Sequence, residues 1–201
     1  MSKAAYKKMI DDHITQFWES ELKLNFQANN NLKFFNISNL KLSGRPHPAI
    51  DGATTSSLVK ELRPAVRMLL NDFYTYELRS SNSNNVLSPH CRLPGCDAPV
   101  EDVVHVLTCP ATSSVRTTLL NQLRNICLSS VSQIDFDSIA QEAQTLTQFL
   151  LDCSSENLSI SQRMKRDDPD LLQVFIISRR IINSTHQARL KLLKSVKIDN
   201  S

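Results

Sequence analysis

The sequence predicts a mainly α protein, a helical domain with a small Cys3His zinc-knuckle-like motif embedded in it. Three observations predict this. Only three glycines occur in 201 residues, and strands joined by primed turns need glycine or asparagine at positive φ, so few tight hairpins are expected. Apolar residues recur at helical spacing along most of the chain. Three thiols and an imidazole then gather between residues 91 and 109, flanked on both sides by those helical stretches.

Residues 1–32 hold the first helix, expected from about Lys3 to Leu24, in which Tyr6, Ile10, Ile14, Trp18 and Leu22 form an apolar stripe that must pack on something. Residues 33–85 form a connector and a second helical region. The connector carries asparagines, two glycines and two prolines, which break periodicity. Its Leu32, Phe34, Phe35 and Ile37 are too apolar for a free linker and should dock on the helices. The helical region is expected from about Thr54 to Arg79, with Pro64 predicting a break or kink near Arg63.

Residues 86–130 contain the motif CRLPGCDAPVEDVVHVLTCP and the helix after it. Cys91, Cys96, His105 and Cys109 make a plausible full ligand set for one zinc ion, since thiolate sulfur and neutral imidazole are the donors of closed tetrahedral sites. Such a set leaves no open position for activating water, so it argues for architecture and binding over metal catalysis. Leu93, Pro94 and Gly95 permit the turn between the first two cysteines. Pro99, Glu101 and Asp102 read as a helix start, where proline costs little and carboxylates suit the positive end of the dipole. His105 and Cys109 lie four apart, so a short helix offers both to one metal. The plainer reading is a buried helix whose histidine is hydrogen-bonded beside three incidental cysteines. His90 adjoins Cys91 and ranks below His105 as a ligand, while His13, His47 and His186 have no neighbouring cysteine in sequence. A helix from Ala111 to Ser130 follows, with Val115, Leu119, Leu120, Leu123 and Cys127 inward and Arg116 and Arg124 outward.

Residues 131–201 form the C-terminal helical region. One helix is expected from about Asp137 to Leu151, capped by Asp137 or Asp135, with Ile139, Ala143, Leu146 and Leu150 as its core stripe. The last begins after Asp168-Pro169 and runs to about Val196, with Leu171, Val174, Phe175, Ile181, Ile182 and Ala188 on an apolar face. Arg180, Asn183, Gln187, Lys191 and Lys194 share the opposite, polar face. Cys127 and Cys153 end amphipathic runs and read as small buried hydrophobes.

Net charge is only +3, but it is segregated. Residues 131–160 carry five acidic side chains and no Lys or Arg, whereas residues 161–201 carry nine basic against four acidic. Phosphate binding depends on local Lys and Arg density, so a basic face toward nucleic acid is compatible with a near-neutral total; a solvated helix face is the alternative. The N-terminus lacks the apolar core of a signal peptide and no stretch approaches a membrane span, so an intracellular protein, nuclear or cytoplasmic, is expected, with no membrane partner.

Four segments, LKFFNISNLKLSGRPHPAI, LRPAVRMLLNDFYTYELR, CRLPGCDAPVEDVVHVLTCPATSSVR and LLQVFIISRRIINSTHQARLKLL, occur in this order. They resemble the region downstream of the polymerase core in reverse transcriptases of non-LTR retrotransposons. The most specific element is Glu101-Asp102, His105, Leu107 and Cys109-Pro110, preceded by the paired cysteines. The resemblance implies the C-terminal cysteine-rich module of a retroelement polyprotein, with Cys91, Cys96, His105 and Cys109 as its zinc ligands. It further implies that the module helps hold template RNA or target DNA for neighbouring catalytic domains. The chain departs from the whole enzyme in lacking a Tyr-x-Asp-Asp motif and any endonuclease constellation. Asp11-Asp12 and Asp167-Asp168 lack the apolar strand context of a polymerase hairpin and read as surface or capping residues. No enzymatic activity is therefore expected.

For an RNA or single-stranded DNA binder, Arg63, Arg67, Arg92, Arg116, Arg180, Lys191 and Lys194 are the candidate phosphate contacts. Phe73, Tyr74 and Tyr76 are candidates for stacking on unpaired bases. The alternative is a helical protein-interaction or relict domain with a purely structural zinc. A Cys/His nucleophile pair is a third reading, but the same side chains are better explained as ligands.

Overall fold

A 28-residue helix at the C-terminal end organises the molecule. The computed structural model describes residues 2–28, 34, 56–70, 73, 75, 88–165 and 167–198. Its α-helices, among those residues, are α1 (Lys3–Ala28), α2 (Ser56–Leu69), α3 (Val103–Thr108), α4 (Ser113–Ser129), α5 (Phe136–Gln141), α6 (Ala143–Leu151) and α7 (Leu171–Ile198). Short 3-10 turns occupy Pro110–Thr112 and Ile160–Gln162. The mainly α reading of the sequence is correct, with no strand among the described residues.

α7 is about 42 Å long at 1.5 Å per residue. It lies against α4 most extensively, then α2, then α6 and α3. The core they enclose contains Met68, Leu107, Leu123, Ile139, Phe149, Leu150, Val174, Phe175, Ile181 and Ile182. Phe34 is fully buried in the same core and its carbonyl accepts a hydrogen bond from Gln148 Nε2 at 3.1 Å, so the connector docks on the helices at this residue. The remaining apolar connector residues lie outside the described ones.

Several elements differ from the sequence reading for identifiable reasons. α2 runs through Pro64 without a break and stops at Leu69. Proline inside a helix costs about 3 kcal/mol. Leu62, Ala65, Met68 and Leu69 are all buried on this helix, and each large apolar side chain buried contributes about 1.5–3 kcal/mol, so packing outweighs the proline. The expected single helix over 137–151 is two, because Glu142 adopts φ −114°, ψ 116° between α5 and α6. Asp135 caps α5 by accepting the Ser138 N–H at 3.1 Å. The bend sets Phe136 edge-on to Phe149 at 6.0 Å between ring centres, and leaves Ala143 exposed instead of in the stripe.

In α1 the apolar side chains do not pack as expected. Tyr6, Ile10 and Ile14 are exposed, while the side chains of Trp18 and Leu22 lie outside the described residues. Asp168 is buried, not superficial. It accepts the backbone N–H and hydroxyl of Ser132 and the backbone N–H of Asp170, tying the loop before α7 to the end of α4. Burial alone would raise this carboxyl, but those hydrogen bonds hold it below the usual carboxylate value.

Candidate metal centre

The cysteine-rich segment folds as a knuckle closed by backbone hydrogen bonds. The Cys91 N–H donates to the Ala98 carbonyl at 3.0 Å and the Glu101 N–H to the Pro89 carbonyl at 2.8 Å, so residues 89–91 run alongside 98–101. The Cys96 N–H donates to the Leu93 carbonyl at 3.1 Å, closing the turn between the first two cysteines. Gly95 in that turn sits at φ 72°, the left-handed region that glycine enters without a Cβ penalty.

Asp102 is the N-cap of α3 and accepts the His105 N–H at 2.7 Å. That cap places the helix start at the acidic pair, with Val103 the first helical residue. The helix presents two faces: Val103, Val106 and Leu107 enter the main core, and His105 turns toward the cysteines. Cys109 is the residue just past the helix, with φ −50° and ψ 128°. It therefore reaches the cluster from the helix end, not from the shared helical face expected for His105 and Cys109.

The four donor atoms of Cys91, Cys96, His105 and Cys109 lie within 4.8 Å of one another. Cys96 Sγ is 3.4 Å from His105 Nε2. A zinc tetrahedron with bonds of about 2.3 Å to sulfur and 2.0 Å to nitrogen has edges of about 3.5–3.8 Å, so the donors fit one ion after small adjustments. The sulfurs are also supplied with hydrogen bonds: the backbone N–H of Leu93 serves Cys91 and that of Ala111 serves Cys109, each two residues beyond its cysteine. Such bonds favour the thiolate, the form a metal requires.

Burial pushes the Cys91 thiol well up and raises that of Cys109, because a buried thiolate without a counter-charge is poorly solvated. A divalent cation reverses that balance by deprotonating a thiol that coordinates it. Burial lowers His105 below its ordinary value, keeping the imidazole neutral and able to ligate. The donor set and its hydrogen bonds thus suit a metal ion. His90, by contrast, is exposed and its Nδ1 pairs with the Ser88 hydroxyl.

Two buried arginines support the knuckle, and neither role was foreseen. Arg116 was expected to face outward as a phosphate contact; it is instead 7% exposed, while Val115 points out. Its Nη1 donates to the Cys109 carbonyl at 2.9 Å and the Thr112 hydroxyl at 2.6 Å, and its Nη2 to the Thr108 carbonyl at 3.0 Å. Only the first turn of α4 departs from the apolar pattern, where the peptide carbonyls around the last ligand draw Arg116 inward; Leu123 and Cys127 are buried as expected. Arg189 forms a two-pronged ion pair with Glu101, whose side chain is fully buried. The signal was present: Arg189 falls on the apolar stripe of α7, at the spacing of Ile182 and Thr185.

Around the cysteines a second small core contains Leu93, with Ala98, Ala111, Leu192 and Leu193 against it. The knuckle therefore sits on the last turns of α7. Of the other basic candidates, Arg63, Arg92, Arg180, Lys191 and Lys194 are exposed and Arg67 is half-buried. Phe73 is buried edge-on to His186 at 5.0 Å, which removes it as a stacking platform for bases. Tyr74, Tyr76 and His47 lie outside the described residues. Cys127 and Cys153 are fully buried in the core, as expected for small hydrophobes, and burial lifts Cys127 to about 12.

No helix among the described residues is long and apolar enough to cross a membrane. No family model, curated protein or solved structure matches this chain.

Proposed function

We propose that this chain is a nucleic-acid-binding accessory module, taking RNA or single-stranded DNA, from the tail of a retrotransposon reverse transcriptase. Zinc is the metal that suits three thiols and an imidazole in a closed tetrahedral arrangement, and it serves to hold the knuckle, with no polymerase activity assigned to the chain. The observation that carries the reading is the placement of the Cys91, Cys96, His105, Cys109 cluster against the α7 turns that expose Lys191 and Lys194. Arg180 adds a third exposed cation on α7, Arg63 one on α2 and Arg92 one on the knuckle itself. Arg116 leaves the candidate surface because its guanidinium is committed to carbonyls.

Two measurements test this. Purified protein is expected to carry one zinc per chain, lost in Cys96→Ser and His105→Ala; a zinc-free wild type with unchanged stability in both variants contradicts the metal assignment. RNA and single-stranded DNA are expected to bind with an affinity that falls as salt rises, and Lys191→Ala and Lys194→Ala are each expected to reduce the slope of log affinity on log salt by about 1. Absence of binding at low salt leaves the alternative, a helical protein-interaction or relict domain with a structural zinc.

A further inference from the structure

The main core and the knuckle core divide α7 between them. Leu171, Val174, Phe175, Ile177, Ile181 and Ile182 belong to the main core, whereas Leu192 and Leu193 pack on the cysteine cluster. Between them Arg189 is tied to Glu101, which begins the second half of the knuckle. Beyond Arg189, the described apolar contacts of α7 are therefore with the knuckle.

That cluster is thin. Apart from its cysteines it offers Leu93 and two alanines to the two leucines of α7. So small an apolar set does not hold two chain segments together unaided, and small modules of this kind depend on a metal or disulfide staple. An unsupported helix end frays, since its last carbonyls lack intrahelical partners and its final turns have low local stability. α3 is different, because Val103, Val106 and Leu107 anchor it in the main core whatever the state of the cysteines.

We infer that metal loading at Cys91, Cys96, His105 and Cys109 acts as a latch on the last turns of α7, ordering the helix end that carries Lys191 and Lys194 without being needed for the fold of the main core. The latch rests on the metal reading given above and adds a regulation to it: the basic turns are presented to nucleic acid in the loaded state and fray in the unloaded one.

The test is amide hydrogen exchange on the full chain, with and without stoichiometric zinc and with a chelator, alongside direct measurement of bound zinc. Removing zinc is expected to speed exchange about tenfold or more in residues 91–98 and 189–198 together, and to leave residues 103–108 and 171–182 unchanged. Leu193→Asp, which cuts the contact from the helix side, is expected to retain zinc while residues 189–198 exchange as fast as in chelated wild type. Equal protection of residues 189–198 in both states overturns the latch while leaving the metal reading intact. Loss of protection throughout α7 also overturns it, showing a metal needed for the whole fold. Failure to take up zinc removes both the latch and the metal reading. Failure to bind RNA at any salt, with the exchange pattern as expected, removes the nucleic-acid reading and leaves the latch.

Discussion

The two ends of α7 are one continuous helix held in two different ways. Around Val174, Phe175, Ile181 and Ile182 the helix is gripped by fully or almost fully buried apolar side chains from α2, α4 and α6. Past His186 the grip passes to the Arg189–Glu101 ion pair and to two leucines seated on a knuckle that is itself held by directional groups, an arginine on carbonyls and four metal-type donors. The first kind of support grows with area and tolerates small shifts. The second kind holds only while every partner is present, because each buried charge or thiol becomes a liability when its counterpart is removed.

That contrast is open to direct attack. Arg189→Met should have the largest effect, about 3–5 kcal/mol in urea denaturation, because it leaves the Glu101 carboxylate buried and unpaired. Adding Glu101→Gln to it should recover a substantial part; no recovery would mean that Arg189 acts through packing and not through the charge. Ile181→Ala, in the apolar half, should cost about 2–4 kcal/mol by cavity formation, to the same extent in zinc and in chelator. A metal-dependent cost at that site would abolish the distinction between the two ends. Arg116→Met should cost about 1.5–3 kcal/mol through the carbonyls it strands. Because it braces the last ligand, it should also weaken zinc binding by about 10–100-fold, read by competition with a chromophoric chelator.

The smallest expected effect is on pH. Burial first, and then the neighbouring Arg189 and Arg67 charges, hold His186 below its ordinary value, so the folded protein resists protonating it. Above about pH 6.5 the unfolded chain is neutral at this residue too and nothing is lost; below it the unfolded chain takes up the proton first, and stability declines as pH falls. His186→Phe, which keeps the ring against Phe73, should flatten the fall in urea midpoint between about pH 6.5 and 5.5. An unchanged slope would assign the acid sensitivity to other groups.

The apolar end of the comparison was the readable one. Helical spacing located α3, α4 and α7 and most of their buried faces, because periodicity records repeated contact with one core. It also put the four metal-type donors together, since short loops leave them few other places to go. What spacing does not encode is competition at single residues. Pro64 loses to the buried face of α2, and Glu142 divides a helix so that two phenylalanines meet. Arg116 moves inward for carbonyls that exist only once the knuckle has closed. The Glu101–Arg189 pair spans 88 residues, a separation at which no local pattern links two charges. The apolar stripe of α1 was equally visible, yet Tyr6, Ile10 and Ile14 are exposed, because periodicity announces a face without naming its partner.

Gly95 carries a quieter consequence. A Cβ at this position would meet nothing within 4 Å, and yet the backbone sits at φ 72°. The restriction at the knuckle's turn is therefore one of chirality and not of room. Asparagine, which enters the left-handed region more readily than other side-chain-bearing residues, is the replacement best suited here, whereas the β-branched valine pays in torsion although its Cβ has room. The tip is sterically vacant and stereochemically strict, a combination that makes it a site for attaching a reporter to the knuckle through a residue of compatible handedness.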